Sequence, residues 1–350
     1  MQTHTNFRLL VVRLGAMGDI LHALPAVTAL RMAHPDWRID WLVEPRWRAL
    51  LATEGASPQT SAQPLVNDLH FAATKAWRKA SFSRQTREEF QTLRATLRTA
   101  NYDAVVDLQG AIRSALLSRL VGCPRVIGEA EPRERMARWF FTECIATRGA
   151  HVIEQDVELV SAIAGDVLQP VQPWLPVDTA AEAWADDILP PTGSQPAILI
   201  NPGAGWGAKR WPAERYAAVA QALIAQGCRV LVNAGPGEEP LAELIVRQTG
   251  GVATAFGCSL AQLIALTRRV ALVVAGDTGP LHLACALSRP VVGIYGPTDP
   301  SRNGPFGTRF TVLRSPQSRR DHTRRAAPEA GLLTIQPDDV LRAASALLYP

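Results

Sequence analysis

Ala275-Gly-Asp-Thr-Gly-Pro-Leu-His-Leu-Ala-Cys-Ala-Leu-Ser-Arg-Pro-Val-Val-Gly-Ile-Tyr-Gly-Pro-Thr-Asp-Pro300 is the stretch whose reading decides the fold. The run before it, Val270–Ala275, is apolar and β-branched, the pattern of a buried parallel strand. The chain then turns through Gly276-Asp277-Thr278-Gly279-Pro280, takes helical spacing from Leu281, and returns to a buried strand at Val291–Tyr295. Glycines between a strand's carboxyl end and a helix N-terminus leave backbone N–H groups free to receive an anion. Two readings stand for the turn. Gly276 and Gly279 only bend the chain while Asp277 or Thr278 starts the helix, or the turn holds a phosphate.

Outward from this unit, strand and helix patterns alternate. Residues 8–14 read as a first strand, followed by Gly15-Ala-Met-Gly18-Asp19 and a helix from about Ile20 to Ala33. Strands are expected at 38–43, 65–70, 102–108 and 124–128, with helices at 84–99 and 111–120. The proline-rich Gln169-Pro-Val-Gln-Pro-Trp-Leu-Pro176 suits a semi-rigid linker. Beyond it come a short helix at 180–188, the loop 190–196 and a second alternation. That alternation comprises strand 197–201, the glycine-rich 202–207, helix 212–226, strand 229–233 and helices near 239–248 and 259–268. Residues 315–330 read as a mobile loop, and Pro337 opens a last helix. The expectation is an α/β protein of two tandem doubly wound, Rossmann-like domains with a ligand cleft between them. The divisions are 1–178, 179–335 and a C-terminal helix 336–350 that returns to the N-terminal domain.

At 350 residues the chain can fill two cores. No apolar run approaches the roughly 18 residues that span a bilayer, and the N-terminus lacks a signal peptide's apolar core and cleavage site, so a cytoplasmic protein is expected. The five cysteines have no metal or redox spacing, and no His/Cys/Asp spacing suggests a metal site, so metal-independent chemistry is expected. A net charge of +4 suits a phosphorylated partner or an anionic membrane surface, and no nucleic-acid partner is expected.

Glycine turns recur at 15–18, 203–207, 235–237 and 276–279. None has the dinucleotide fingerprint G-x-G-x-x-G after the first strand, and none has the P-loop pattern. Three of the four lie in the second half, which makes that half the candidate holder of a phosphorylated ligand. Lys209 follows one of them and reads as a diphosphate cation or as a surface lysine. Glu238 reads as a ribose acceptor or as a first-turn carboxylate, and His282 as a group reaching a phosphate or sugar hydroxyl. Asp19, where the first strand becomes a helix, is an N-cap or a general base for an attacking hydroxyl. His22 faces the same place or packs. Lys75-Ala-Trp-Arg-Lys79 with Phe82-Ser-Arg84 is the densest basic and aromatic segment. It is a solvated helix face or a holder of acceptor anions, with Trp77 and Phe82 touching lipid or sugar. Arg133 and Arg135 form a second basic group.

These motifs together resemble the ADP-heptose:lipopolysaccharide heptosyltransferases of glycosyltransferase family nine, enzymes of the two-domain GT-B architecture. The resemblance is carried by Met17-Gly-Asp-Ile-Leu-His22, Tyr102-Asp-Ala-Val-Val-Asp-Leu-Gln-Gly110, Lys209-Arg-Trp-Pro212, Asp277-Thr-Gly-Pro-Leu-His282 and Tyr295-Gly-Pro-Thr-Asp-Pro300, in that order along the chain. Trp77-Arg-Lys79, Phe82-Ser83 and Arg133-Glu134 are similar to the branch that adds the first heptose to the Kdo sugars of lipid A. The resemblance implies Asp19 as general base and Lys209 as donor-phosphate cation. It implies donor contacts from Glu238, Cys258 (through its backbone, at the adenine), Asp277, Thr278, Gly279 and His282. On the acceptor side it implies Met17, Gly18, His22, Arg78, Lys79, Gln109 and Arg133. The 203–207 loop departs from some relatives, which carry threonines there. The implied reaction is inverting, metal-independent transfer of L-glycero-D-manno-heptose from ADP-heptose to a Kdo residue of Kdo-lipid A. It needs no cofactor and implies peripheral contact with the anionic cytoplasmic face of the inner membrane. The alternatives are the branch acting on a heptosylated core, a nucleotide-sugar epimerase, or a nucleotide-sugar binding module.

Overall fold

The computed structural model describes residues 6–190, 195–321 and 325–349. The first five residues of the N-terminal lead-in, the middle of the 190–196 loop and the centre of the 315–330 segment lie outside the described residues. The chain forms two compact units, Met1–Val177 and Asp178–Pro350.

In the first unit the order is β1 (Arg8–Val12), α1 (Met17–Ala33), β2 (Arg38–Val43), β3 (Leu69–Phe71), α2 (Thr74–Lys79), α3 (Arg84–Thr99), β4 (Ala104–Asp107), α4 (Ile112–Leu120), β5 (Val126–Glu129), β6 (Glu143–Ile145) and α5 (Val152–Ala164). The second unit runs α6 (Thr179–Ile188), β7 (Ala197–Asn201), α7 (Ala213–Ala225), β8 (Arg229–Asn233), α8 (Glu239–Gln248), β9 (Thr254–Phe256), α9 (Leu260–Arg269), β10 (Leu272–Gly276), α10 (Gly279–Ala286), β11 (Val291–Tyr295), α11 (Pro300–Asn303), β12 (Phe310–Arg314) and α12 (Pro337–Leu348). Each unit has one six-stranded parallel sheet, ordered β3-β2-β1-β4-β5-β6 in the first and β12-β11-β10-β7-β8-β9 in the second. Both orders are the doubly wound one, with the winding reversing at β1/β4 and at β7/β10. At such a reversal the loops leaving adjacent strands diverge to opposite faces and open a crevice at the carboxyl edge.

The central strands are buried on both faces, which is why they read as continuous Val/Ile/Leu runs. Helix α1 is buried nearly all round, lying between its sheet and α5. Helix α5 went unread in the sequence, although His151 caps its start and Gly165 closes it at φ 72°. Helix α12 inserts Val340, Ala343, Ala344 and Leu347 into the core of the second unit. That corrects the expected return to the N-terminal domain: the apolar face of α12 is consumed by α7 and the second sheet. In the linker, Trp174 N–H donates to Thr28 Oγ1 at 3.3 Å and Val177 N–H to the Ser61 carbonyl at 2.8 Å, so the segment is tied to the first unit. Asp178 then caps α6.

Candidate functional site

In the first unit the site grows from the β1/β4 reversal. Gly15 follows β1 at φ 150°, and a Cβ there would stand 2.6 Å from Trp47 Nε1. Only a glycine lets the indole close over this loop. Asp19 is the third residue of α1. Its Oδ2 accepts the Ala16 N–H at 2.9 Å, while Arg13 donates from Nε to the Asp19 carbonyl at 3.1 Å and places Nη2 3.8 Å from Oδ1. The buried Arg13 therefore holds the residue, and the carboxylate keeps 36% exposure. Helix capping and an accessible base are compatible in one side chain.

Gln109 Oε1 accepts the Leu14 N–H at 2.8 Å and so bridges the loops after β1 and β4 across the reversal, beside Met17 and Gly18. Gly110, at φ 62°, is overlain by the backbone of Arg133, 3.0 Å from a Cβ placed there. Glu134 secures this contact, its N–H on the Gly110 carbonyl and its Oε2 under the Ile112 N–H, both at 2.8 Å. The Arg133 backbone thus sits on the loop after β4. His22 does not open to solvent. It is 5% exposed and meets His151 of α5 edge-on at 5.5 Å, so packing won over a place in the crevice. Trp77 is likewise taken into structure, edge-on to Phe90 with Nε1 donating to Glu89 at 2.8 Å. Trp77 is therefore half-buried and held in place, whereas Phe82 stands 88% exposed.

The structure adds Arg46 and Arg113 to the basic Lys75–Lys79 segment named from the sequence. Lys75 has its pKa lowered by partial burial and by the nearby charges of Arg46, Arg113 and Arg78, against the opposing Glu44. These four cations come from the 3₁₀ turn after β2, from α2 after β3 and from α4 after β4, and among the described residues none forms an ion pair. Arg46 lies 4.3 Å from the centroid of Trp47, the ring that covers Gly15. Such an uncompensated set suits a multiply anionic ligand. Asp107, ending β4, is pushed up to about 6 by burial, against N–H donors from Gln109 and Gly110.

In the second unit the β7/β10 reversal brings together Lys209 and Asp277, an ion pair across the crevice. His282 Nε2 meets Asp277 Oδ1 at 3.1 Å, and the Lys209 ammonium also sits 4.7 Å from the Trp206 ring. Burial pushes the Asp277 carboxyl up, but the His282 hydrogen bond and the Lys209 charge outweigh it and hold the pKa well below the usual carboxylate range. Lys209-Arg-Trp-Pro212 makes local sense, because Trp211 is buried and donates from Nε1 to the Ile335 carbonyl at 3.1 Å, pinning the loop that carries Lys209. Thr278 precedes α10 as its N-cap, and the Thr278 and Gly279 N–H groups are bonded to no acceptor among the described residues. They face the crevice with the positive end of the helix behind them.

Glu238 wedges between two glycine loops, Oε2 accepting the Gly235 N–H at 3.1 Å, and a Cβ on Gly203 would fall 1.9 Å from it. Cys258 Sγ contacts Asn233 Oδ1 at 3.4 Å, and Asn233 Nδ2 donates to Asn201 Oδ1 at 2.8 Å. Burial pushes the Cys258 thiol up to about 11, so it stays protonated near neutral pH. Asn201 and Asn233 were missed, yet each is the single polar residue ending an apolar strand, a readable signal. Where a mobile loop was expected over 315–330, the described residues on either side of 322–324 are tied down by hydrogen bonds. Ala208 N–H donates to the Arg325 carbonyl at 3.0 Å, Glu329 N–H to the Ala208 carbonyl at 3.1 Å, and Asp321 N–H to the Pro297 carbonyl at 3.0 Å. Arg325 and Glu329 are thereby seated on the Lys209 loop, and Asp321 on the turn after β11. Among the described residues no group of three or more His, Cys, Asp or Glu is arranged to hold a metal.

A family model described as glycosyltransferase family 9 (heptosyltransferase) matches residues 90–332. Lipopolysaccharide heptosyltransferase 1 of Escherichia coli strain K12 is 31% identical over 89% of this chain and 94% of its own length. The protein of that name from Escherichia coli strain RS218 is 32% identical over 88% of this chain and 92% of its own. Among solved structures, E. coli heptosyltransferase WaaC with ADP matches with a TM-score of 0.79 at 28% identity, covering 97% of this chain and all (100%) of that one.

Proposed function

The chain belongs to glycosyltransferase family 9, and from that premise we propose that it transfers L-glycero-D-manno-heptose from ADP-heptose to a Kdo residue of Kdo-lipid A in lipopolysaccharide core synthesis. It is a glycosyltransferase, and the second unit takes the donor while the first takes the acceptor.

In this reading Asp19 accepts the proton of a Kdo hydroxyl. The hydroxyl oxygen attacks the anomeric carbon as the bond to the diphosphate breaks, the electron pair leaves with ADP, and the configuration inverts. Lys209 and the N–H groups of Thr278 and Gly279 balance the charge that builds on the departing diphosphate. His282 and Lys209 keep Asp277 ionised as an acceptor for sugar hydroxyls. Glu238 lies where ribose hydroxyls would meet it, and the Cys258 backbone lines the adenine side. Met17, Gly18, Gln109, Arg78, Lys79 and Arg133 border the acceptor, and the buried His22 supports the helix that carries Asp19. The enzyme works at the cytoplasmic face of the inner membrane.

The observation that carries the choice of acceptor is the unpaired cation set of Arg46, Lys75, Arg78 and Arg113 beside the Asp19 loop. Each Kdo bears a carboxylate, whereas an unphosphorylated heptose is neutral, so the set fits Kdo better. The test is incubation with ADP-heptose and Kdo-lipid A, followed by mass spectrometry for a heptose-sized increment. An increment only on an already heptosylated acceptor would move the chain to the other branch. Consumption of donor with no acceptor would make it an epimerase-like enzyme.

A further inference from the structure

We propose that the exposed face of α4 and of the 3₁₀ turn Arg135–Phe140 docks on an anionic lipid bilayer, with Met136 and Trp139 entering its interface. The proposal rests on the membrane-embedded acceptor of the preceding reading, and it names a surface which that reading does not.

The turn Arg135-Met-Ala-Arg-Trp-Phe140 has three-residue periodicity, so side chains at i and i+3 stack into ridges. One ridge, Ala137 and Phe140, turns inward against the core, where Phe141 also packs. The second is Met136 over Trp139, 51% and 76% exposed, and the third is Arg135 over Arg138, both exposed. The fold already has its inner ridge, so the outer apolar one contributes nothing to the core. Helix α4 packs against this turn and presents Arg113, Leu116 and Arg119 to solvent. Neither element contains a carboxylate. Of the adjoining Glu131 and Glu134, the second is tied to the Ile112 N–H.

A Trp and a Met standing clear of the surface among arginines match the chemistry of a membrane interface. There an indole sits at the headgroups, an apolar chain reaches the acyl boundary, and guanidinium groups meet lipid phosphates. A second copy of this face would bring cation against cation. Arg113 belongs both to this face and to the cations around Lys75, so the surface adjoins the acceptor edge. Among the described residues no helix is long and apolar enough to cross a membrane, so the contact is interfacial.

The test uses the full chain with sedimented vesicles of phosphatidylcholine, with and without phosphatidylglycerol, and with brominated lipid as a quencher of indole fluorescence. The chain should partition onto the anionic vesicles, more weakly as salt rises. The double variant Met136→Ala/Trp139→Ala should lower the partition coefficient about tenfold. Arg138→Glu should lower it about twenty-fivefold, from about fivefold for each of the two charges altered. Trp139→Phe should remove most of the quenching. All three should keep wild-type kcat on a soluble Kdo acceptor lacking acyl chains, which shows that they are folded.

Partitioning unchanged by the double variant, or equal on both vesicle types, overturns the proposal. So does a Trp139-dependent dimer that ignores vesicles. A chain that transfers heptose to the soluble acceptor and never partitions overturns the docking surface alone. One that docks through Trp139 but transfers nothing overturns the reaction and leaves the surface.

Discussion

Replacing Asp277 with Asn removes a charge but little volume. In the structure its carboxylate is 7% exposed and binds Lys209 and His282 together, and the Lys209 side chain is itself only 15% exposed. Breaking a buried pair on one side costs about 3–5 kcal/mol, because the surviving charge is left uncompensated. The Trp206 face, 4.7 Å from the ammonium, and the residual exposure of Lys209 reduce this to about 2–4 kcal/mol. In a unit the size of Asp178–Pro350 that is a fall in Tm of about 4–16 °C.

The sign with pH follows from the lowered pKa. An acid whose folded pKa is depressed contributes stability above its unfolded value of about 3.9, lost as pH falls toward the folded value. The wild-type advantage should therefore be full at pH 7 and shrink below about pH 4. ADP should narrow the gap at pH 7, since its phosphates supply Lys209 with the anion it lacks, and at about 100 Kd a ligand adds about 2.7 kcal/mol in any case. Calorimetry of both proteins at pH 7 and pH 3, with and without ADP, measures all of this. A Tm gap equal at the two pH values, or untouched by ADP beyond the wild-type increment, would refute the electrostatic account of the donor half-site.

Asp19→Ala should lower kcat at least about a hundredfold with little change in donor KM, read from initial rates; near-normal turnover would remove Asp19 as the base. Asp107→Asn keeps the acceptor for the Gln109 and Gly110 N–H groups and removes a buried charge. Because the folded pKa is raised to about 6 from about 3.9, the cost of that charge is absent below about pH 3.9 and complete above about pH 6. The variant should gain up to about 2–3 kcal/mol at pH 8 and nothing at pH 3.5 by urea unfolding, and a pH-independent difference would contradict this. Gly207→Ala puts a Cβ 1.7 Å from the Ala326 carbonyl oxygen, whereas Gly205 has nothing within 4 Å. The first substitution should cost about 1–3 kcal/mol and raise donor KM, the second neither, and equal effects would show that the 325–330 segment does not rest on this loop.

Much of the framework was written in local pattern. Runs such as Ile198-Leu-Ile200 and Val273-Val-Ala275 are apolar on both sides because a parallel strand is covered on both faces. The glycines at 15 and 203 stand out because the Trp47 ring and the Glu238 carboxylate occupy the place of a side chain, and those at 276 and 279 because they flank a strand-to-helix turn. Asp19, Lys209 and Asp277 were legible for the same reason, each being a charged residue at a strand's end beside such a turn. What lay beyond local pattern is spatial convergence. Nothing in the spacing of Arg46, Lys75, Arg78 and Arg113 says that strand order brings them to one edge, nor that Arg46 rests on the indole that covers Gly15. The ladder from Cys258 through Asn233 to Asn201 joins three separate loops and strand ends.

By itself, then, the sequence determined the two doubly wound sheets, the loops that carry chemistry and the residue types they offer, because hydrophobic period and turn chemistry are local properties. Tertiary structure alone decided that His22 is packed rather than presented, that Arg325 and Glu329 are seated on the Lys209 loop, and that α12 completes the core of the second unit. Those outcomes depend on which surfaces compete for burial, and that competition is settled only when distant elements meet.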